Sequence, residues 1–258
     1  MYYKEIVTVS RALMWLVISL AMILGAVILV SALSPHGHVS VQAGDTPSSG
    51  GPTSFVALLG TAALLAGGIM ATVLGVPLAK ENEGHLELAW TKPYSRTQYA
   101  TAIALVDSAA LIISTLLGFV TLVAILDVVH SPITWGFNTA VSVNIVRFLL
   151  FPLAWYGLLN ALSASARGGA RVQGLVWLIA IVLVVLYALP LPAIWHGIMV
   201  ALNVVNPLIY VQYHEAEFSL MTGAGSNGLS GLTSGIALAV IAIGGWALAA
   251  AQWRRLQA

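Results

Sequence analysis

Residues 12–33 read ALMWLVISLAMILGAVILVSAL, 22 positions without a charged side chain. A helix crossing about 30 Å of hydrocarbon needs about 20 mostly apolar residues, so this stretch alone is long enough to span a bilayer. It follows Lys4 and Arg11 and ends in small residues near Ser31 and Ala32, a layout shared with secretory signals. A signal core runs only about 7 to 15 residues, so the segment reads as a retained anchor. The same reading extends to 54–79, 98–126, 138–166, 172–189 and 232–252, and Asp107 and Arg147 are the only charges inside the six segments. These stretches are apolar all round and lack the alternating pattern of a spanning β-barrel. A helix satisfies its own backbone hydrogen bonds where no water is present. The expectation is an all-α polytopic membrane protein with six transmembrane helices, one membrane domain over 1–258.

Composition agrees. Of 258 residues 10 are Lys or Arg and 9 are Asp or Glu, so 7% are charged and 59% hydrophobic; a soluble domain carries about a quarter charged residues. A net charge of +1 provides no basic face for phosphates, and no nucleic-acid partner is expected. The absence of cysteine excludes disulfides, thiolate metal sites and a thiol nucleophile.

A seventh stretch, 191–213, is uncharged and long enough to cross, but contains Pro192, His196, Asn203, Asn206 and Pro207. With the amino terminus in the cytoplasm, six crossings place Lys4, Arg11, Lys80, Lys92, Arg96, Arg167, Arg171, Arg254 and Arg255 all inside. A seventh would move Arg254 and Arg255 outside, against the tendency of cationic flanks to stay cytoplasmic. Both termini are therefore expected in the cytoplasm, and 191–229 is read as an external excursion of broken half-helices that dip into the membrane and return. Residues 1–11 mix Tyr2, Tyr3, Ile6, Val7 and Val9 with Lys4, Glu5 and Arg11, which suits a short amphipathic helix at the interface or a frayed tail. The loop 34–53, rich in Pro, Gly and Ser, has linker chemistry.

One loop concentrates charge. Between the second and third segments, 80–98 holds Lys80, Glu81, Glu83, Glu87, Lys92 and Arg96, interleaved with Leu86, Leu88, Ala89 and Trp90. Pro93 stops that run before Tyr94, Ser95 and Arg96 start the next. The pattern predicts a short amphipathic helix lying along the membrane, able to rest in headgroups or enter a groove on a soluble partner; a merely solvated loop is the alternative.

Glu81, Glu83, Gly84, Leu86, Glu87, Pro93, Ser95 and Arg96 resemble the Glu-rich, Gly-Thr-Leu-Glu, then Pro-x-Ser-Arg loop of ATP-binding-cassette type-2 permeases, with His85 where that family usually has Thr. The resemblance extends along the chain, through six helices, internal termini, an amphipathic start and a broken external segment between the fifth and sixth helices. It implies that 80–98 is a coupling helix docking on a separate cytoplasmic ATPase. It also implies two such ATPases carrying ATP and Mg, a second permease copy or paralogue, and location in the cell membrane. In that mechanism 54–79 and 172–189 wall the passage, and the broken segment with Pro192, Asn206 and Pro207 closes the outer gate.

No catalysis is expected of this chain, and no cofactor in it. None of its three lysines follows a glycine, so the phosphate-binding loop of an ATPase is missing. His214 and Glu215 begin a zinc-protease pattern, but Phe218 stands at the second histidine. There is no Gly-x-Ser-x-Gly elbow.

Asp107 and Arg147 are intramembrane charges, costly enough to be paired or functional. Asp107 lies about 14 Å in from residue 98 and Arg147 about 14 Å in from residue 138 at the opposite face. Across about 30 Å of core these depths nearly coincide, which suggests an ion pair; separate partners for each are the alternative. Gly67, Ala71 and Gly75, and Gly231, Gly235 and Ala239, place small residues where helices can approach closely, within a subunit or between two. His36, His38, His130, His196 and His214 fall outside with Asp45, Asp127, Glu215 and Glu217. Either they are ordinary polar loop residues or pairs such as His214 with Glu215 ligate a metal, and no metal site is assigned. Two functions are consistent with these features: the permease of an ATP-driven exporter moving a hydrophobic or amphipathic cargo, or a non-transporting scaffold or sensor that recruits a cytoplasmic ATPase or supports external metal delivery.

Overall fold

The computed structural model describes residues 2–33, 53–78, 96–137, 139–164, 169–188, 192–211 and 231–255. Helix α1 is Tyr2–Leu33; α2 (Phe55–Ala62) passes through a π-helical turn (Ala63–Gly67) into α3 (Gly68–Leu74). Then come α4 (Arg96–Val128), α5 (Thr139–Ser163), α6 (Gly169–Ala188), the short α7 (Ala193–Asn203), a 3-10 turn (Pro207–Tyr210) and α8 (Gly231–Arg255). Among these residues, Glu5–Ala32, Phe55–Leu74, Gln98–Val128, Val141–Ser163 and Gly231–Arg255 are long and apolar enough to cross a membrane, and Arg171–Tyr187 is a shorter apolar helix. The chain is an all-α, membrane-embedded protein in its main architecture.

Two expectations change. Residues 2–11 form neither a separate interfacial helix nor a frayed tail, because α1 runs unbroken from Tyr2 to Leu33. No proline interrupts it and its first glycine is Gly25, so nothing in the chain ends the first turns. Two short strands also appear: Thr53–Ser54 (β1) lies parallel to Ile133–Thr134 (β2), with Thr53 opposite Ile133 and Ser54 opposite Thr134. The bridge ties the start of α2 to the segment after α4. Ser54 then caps α2, its hydroxyl oxygen accepting from the Val56 N–H at 3.3 Å.

The core centres on α5. Phe148, Phe151, Ala154, Trp155, Tyr156 and Leu159 are buried along it. Trp155, Tyr156 and Leu159 pack with Met70, Ala71 and Leu74 of α3, Ala110 and Leu111 of α4, and Val176 and Ala180 of α6. Phe148 and Phe151 pack with Phe55 and Leu59 of α2, Leu238 of α8, and Ile209 and Tyr210 of the 3-10 turn. A smaller cluster of Leu78, Ala100, Ala164, Ala249 and Trp253 joins the end of the bundle where α4 begins and α8 ends. Tyr99 stacks on Trp253 there, with centroids 5.6 Å apart, and Phe55 stacks on Trp135 at the other end, 5.4 Å apart. Aromatic rings gather at both ends of the bundle, where an interface would meet them.

Helices in lipid gain nothing by hiding oil from oil, so close approach of backbones carries their packing. A side chain at Gly245 of α8 would place its Cβ 2.5 Å from the carbonyl oxygen of Gly157 on α5, and one at Gly157 would meet the Ala242 oxygen at 2.7 Å. The first small-residue stripe works within the chain: a Cβ at Gly67 would strike Thr115 and Pro152, and one at Gly75 would strike Leu159. In the second, a Cβ at Gly231 would lie 3.2 Å from Asn144 Oδ1 and 3.3 Å from Val143 on α5, whereas nothing lies within 4 Å of a Cβ at Gly235.

The end of α4 needs a residue in the left-handed region. His130 occupies it, with φ 53°, and its N–H donates to the Asp127 oxygen at 3.0 Å while the Ser131 N–H donates to the Leu126 oxygen at 2.9 Å. This is the doubly bonded helix stop usually built on glycine. His130 is therefore a cap as well as an exposed polar residue.

Gly245→Ala is expected to force α5 and α8 apart and destabilise by about 1–3 kcal/mol, read as a lower melting temperature in detergent, whereas Gly235→Ala leaves it unchanged or slightly higher. His130→Gly is expected to stabilise by about 0.5–1 kcal/mol by removing the left-handed penalty, measurable in the same melting assay.

Candidate functional site

Three sets of polar groups, the first half-buried and the other two largely buried, interrupt the apolar bundle. The first surrounds Thr72 of α3. Its hydroxyl donates to the Gly68 oxygen at 2.8 Å and accepts from the indole N–H of Trp155 at 3.1 Å and of Trp177 at 2.7 Å. A hydroxyl has one hydrogen to give and two lone pairs, so this group is fully used. The Gln173 side-chain amide donates to the Thr72 backbone oxygen. The two indole rings lie 4.3 Å apart between centroids, tilted by 49°. Thr72 thus joins α3, α5 and α6. The π-helical turn just before α3 takes in an extra residue and so rotates the helix beyond it, setting the face that Thr72 presents.

The second set contains Asp107, wholly buried on α4. The Tyr156 hydroxyl of α5 donates to its Oδ2 at 2.7 Å, and buried Asn160, one turn further on, donates to the Tyr156 backbone oxygen at 3.0 Å. Arg147 is also buried, its guanidinium 4.8 Å from the ring centroid of Phe148. Tyr156, which meets Asp107, stands nine residues beyond Arg147 on α5, about 14 Å of helix rise.

The third set lies in the broken segment. The Asn206 amide donates to the Ala180 oxygen of α6 at 3.1 Å and to Asn203 Oδ1 at 3.0 Å, while the Asn203 amide donates to the Leu183 oxygen of α6 at 3.1 Å and the Met199 oxygen at 2.9 Å. Asn206 Oδ1 accepts from the Leu208 N–H at 3.2 Å, capping the 3-10 turn that Pro207 begins. Tyr210 donates its hydroxyl to the Val204 oxygen at 2.7 Å. Ala180 lies eight residues before Ala188, the end of α6, so α7 descends about 12 Å along that helix before the chain turns. Non-helical backbone at such a depth persists where its polar groups are met by protein, and here they are. Of the proposed gate residues, Asn206 and Pro207 are buried at this turn and Pro192 is exposed ahead of α7.

Glu81, Glu83, Gly84, Leu86, Glu87, Pro93 and Ser95 lie outside the described residues, and Arg96 is the first residue of α4. His36, His38, His214, Glu215 and Glu217 also lie outside them. Among the described residues no three His, Asp or Glu side chains gather as a metal site. No protein-family model matches the chain, and no curated protein matches it.

Sequence reading missed Thr72, Tyr156 and Asn160. Each is an ordinary polar residue in an apolar run, and only its neighbours across the bundle give it a partner. Double-mutant cycles test both contacts of Asp107: Asp107→Asn and Tyr156→Phe are expected to couple by about 1–2 kcal/mol, and losses from Asp107→Asn and Arg147→Gln that add within about 0.5 kcal/mol would sink the charge pair. Unfolding of the three single and two double variants in mixed micelles measures both.

Proposed function

We propose that the chain is the permease subunit of an ATP-driven exporter, with six crossings, both termini in the cytoplasm of a cell-membrane protein, and hydrolysis on separate cassette ATPases. The observation that carries this reading is the loop 80–98. In a chain with 7% charged residues, Glu81, Glu83, Gly84, Leu86, Glu87, Pro93, Ser95 and Arg96 fall together in the order of a coupling helix, between the second and third apolar segments. The bundle supports it: the segments 54–79 and 172–189, which the mechanism assigns to the passage, meet at Thr72. The crossing required beyond the five long helices is α6, 20 residues and so about 30 Å long. An apolar exterior with few intramembrane charges suits a hydrophobic or amphipathic cargo. In this mechanism the ATPases close on ATP and Mg, push on 80–98, and draw two permease halves apart; the chain itself makes and breaks no covalent bond.

Purification from native membranes in mild detergent tests this. A cassette ATPase is expected to co-purify with the wild-type chain and to be lost from Glu83→Lys and Arg96→Glu variants that still fold. An intact chain that brings down no such ATPase under several mild conditions overturns the permease and leaves the scaffold.

A further inference from the structure

We infer that the turn 131–137 is a hook into the bilayer: it folds back along α4 and places Trp135 and Phe137 among the lipids of the leaflet at that end of the bundle. Between the expected crossings 98–126 and 138–166 the same stretch reads only as a connection.

His130 ends α4 with its left-handed turn, and the chain then reverses. Ring contacts show how far it returns. Trp135 meets Phe119 of α4 edge to face, with 6.5 Å between centroids. Phe119 stands nine residues before Val128, the last residue of α4, about 14 Å of helix rise. Trp135 therefore lies more than one helical turn back from the helix end. Its position is fixed from several sides. Thr53 and Ser54 bridge to Ile133 and Thr134, and Ile133 packs against the core cluster that holds Phe148 and Phe151. Phe55, the first residue of α2, stacks on Trp135 and meets the Phe137 ring with centroids 5.0 Å apart.

What covers these rings follows from their surroundings. Phe55 is buried, yet Trp135 is 55% exposed and Phe137 74%. No side chain in 131–137 is charged. On α4, Ile112, Ile113, Leu116 and Val120 are exposed along one side of the helix, and Leu116, three residues before Phe119, is its neighbour on the helix surface. On a membrane-embedded helix such an apolar stripe faces acyl chains. Trp135, resting on Phe119, continues the stripe towards the helix end, so the lipid that covers the stripe covers the rings. The boundary between acyl chains and headgroups is where aromatic rings, indole above all, prefer to lie. The irregular backbone of the turn keeps it at that boundary rather than at the bilayer centre, because only there do headgroups and water meet peptide groups outside a helix. The inference stands on these contacts whether or not an ATPase partners the chain.

The protein has no cysteine, so single spin labels enter without background. Labels at Trp135→Cys and Phe137→Cys are compared, on the full chain in lipid nanodiscs, with Ile113→Cys on the exposed stripe and Asp127→Cys, exposed near the end of α4. Relaxation by oxygen, which concentrates in lipid, is expected to exceed relaxation by a water-soluble nickel chelate at 135 and 137 as it does at 113, with the opposite order at 127. The native ring is read separately. The fluorescence lost on Trp135→Phe, taken as the difference from the wild type, is expected to be quenched by lipids brominated on the acyl chain and spared by aqueous iodide. A nickel preference at either position, or iodide quenching of the Trp135 difference, overturns the inference and makes the turn aqueous. Protection from oxygen and nickel alike also overturns it, in favour of a second copy of the chain over the rings. If the cysteine variants do not fold, the Trp135→Phe difference decides alone.

Discussion

Hydrocarbon has no hydrogen bonds to offer, so each polar group within this bundle must be met by the chain itself. Thr72 is the fullest case: one hydroxyl gives its hydrogen to its own helix and both lone pairs to tryptophans from two others. The arrangement fixes the relative rotation of α3, α5 and α6 at one depth. Asp107 and Tyr156 do the same for α4 and α5, and Asn203 and Asn206 for α6 and α7. Apolar contacts fill the space between these points but do not choose among orientations as sharply, because lipid competes for them on nearly equal terms.

The same constraint explains why burial does not follow hydrophobicity. The stretch 12–33 carries no charge and almost no polar group, yet Met14, Trp15, Met22, Ile23 and Leu29 are exposed on α1. Helix α5, which contains Asn144, Arg147, Pro152 and Asn160, is central. In water the more apolar helix would be inside. In a membrane the helix with polar groups to satisfy and small residues to approach by is the one that gathers neighbours, and Gly157 lets α8 lie against it backbone to backbone.

The two breaks in regular structure fall where neighbouring contacts give them support. The π-helical turn at Ala63–Gly67 lies against α4 and α5, where Gly67 and Gly118 leave room, and it sets the face carried by α3. The turn after α7 sits at depth beside α6, its side-chain amides held by backbone oxygens of that helix. On the proposed reading, both lie along the path between a pushed loop and an outer gate.

Helix boundaries were legible in the residues because hydrocarbon thickness imposes a length. The expected 98–126 and 138–166 are observed as Arg96–Val128 and Thr139–Ser163, and 232–252 as Gly231–Arg255. The interruption after 191 was legible from Pro192, Asn206 and Pro207, since proline removes a donor and bars the helix from continuing. The charge-rich stretch 80–98, the basis of the functional reading, is a matter of composition, and its residues 80–95 lie outside the described ones. The Tyr156 hydroxyl as a partner of Asp107 was not legible, because a contact between two helices is written in neither of them alone. Nor did the apolar runs say which faces turn inward, because lipid and core ask for the same side chains. Length, crossing segments and breaks follow from the chain's own polarity, a property of each segment taken singly. Which helix is central, which polar residue meets which, and how deep the broken segment reaches are relations between segments, and only the packed bundle decides them.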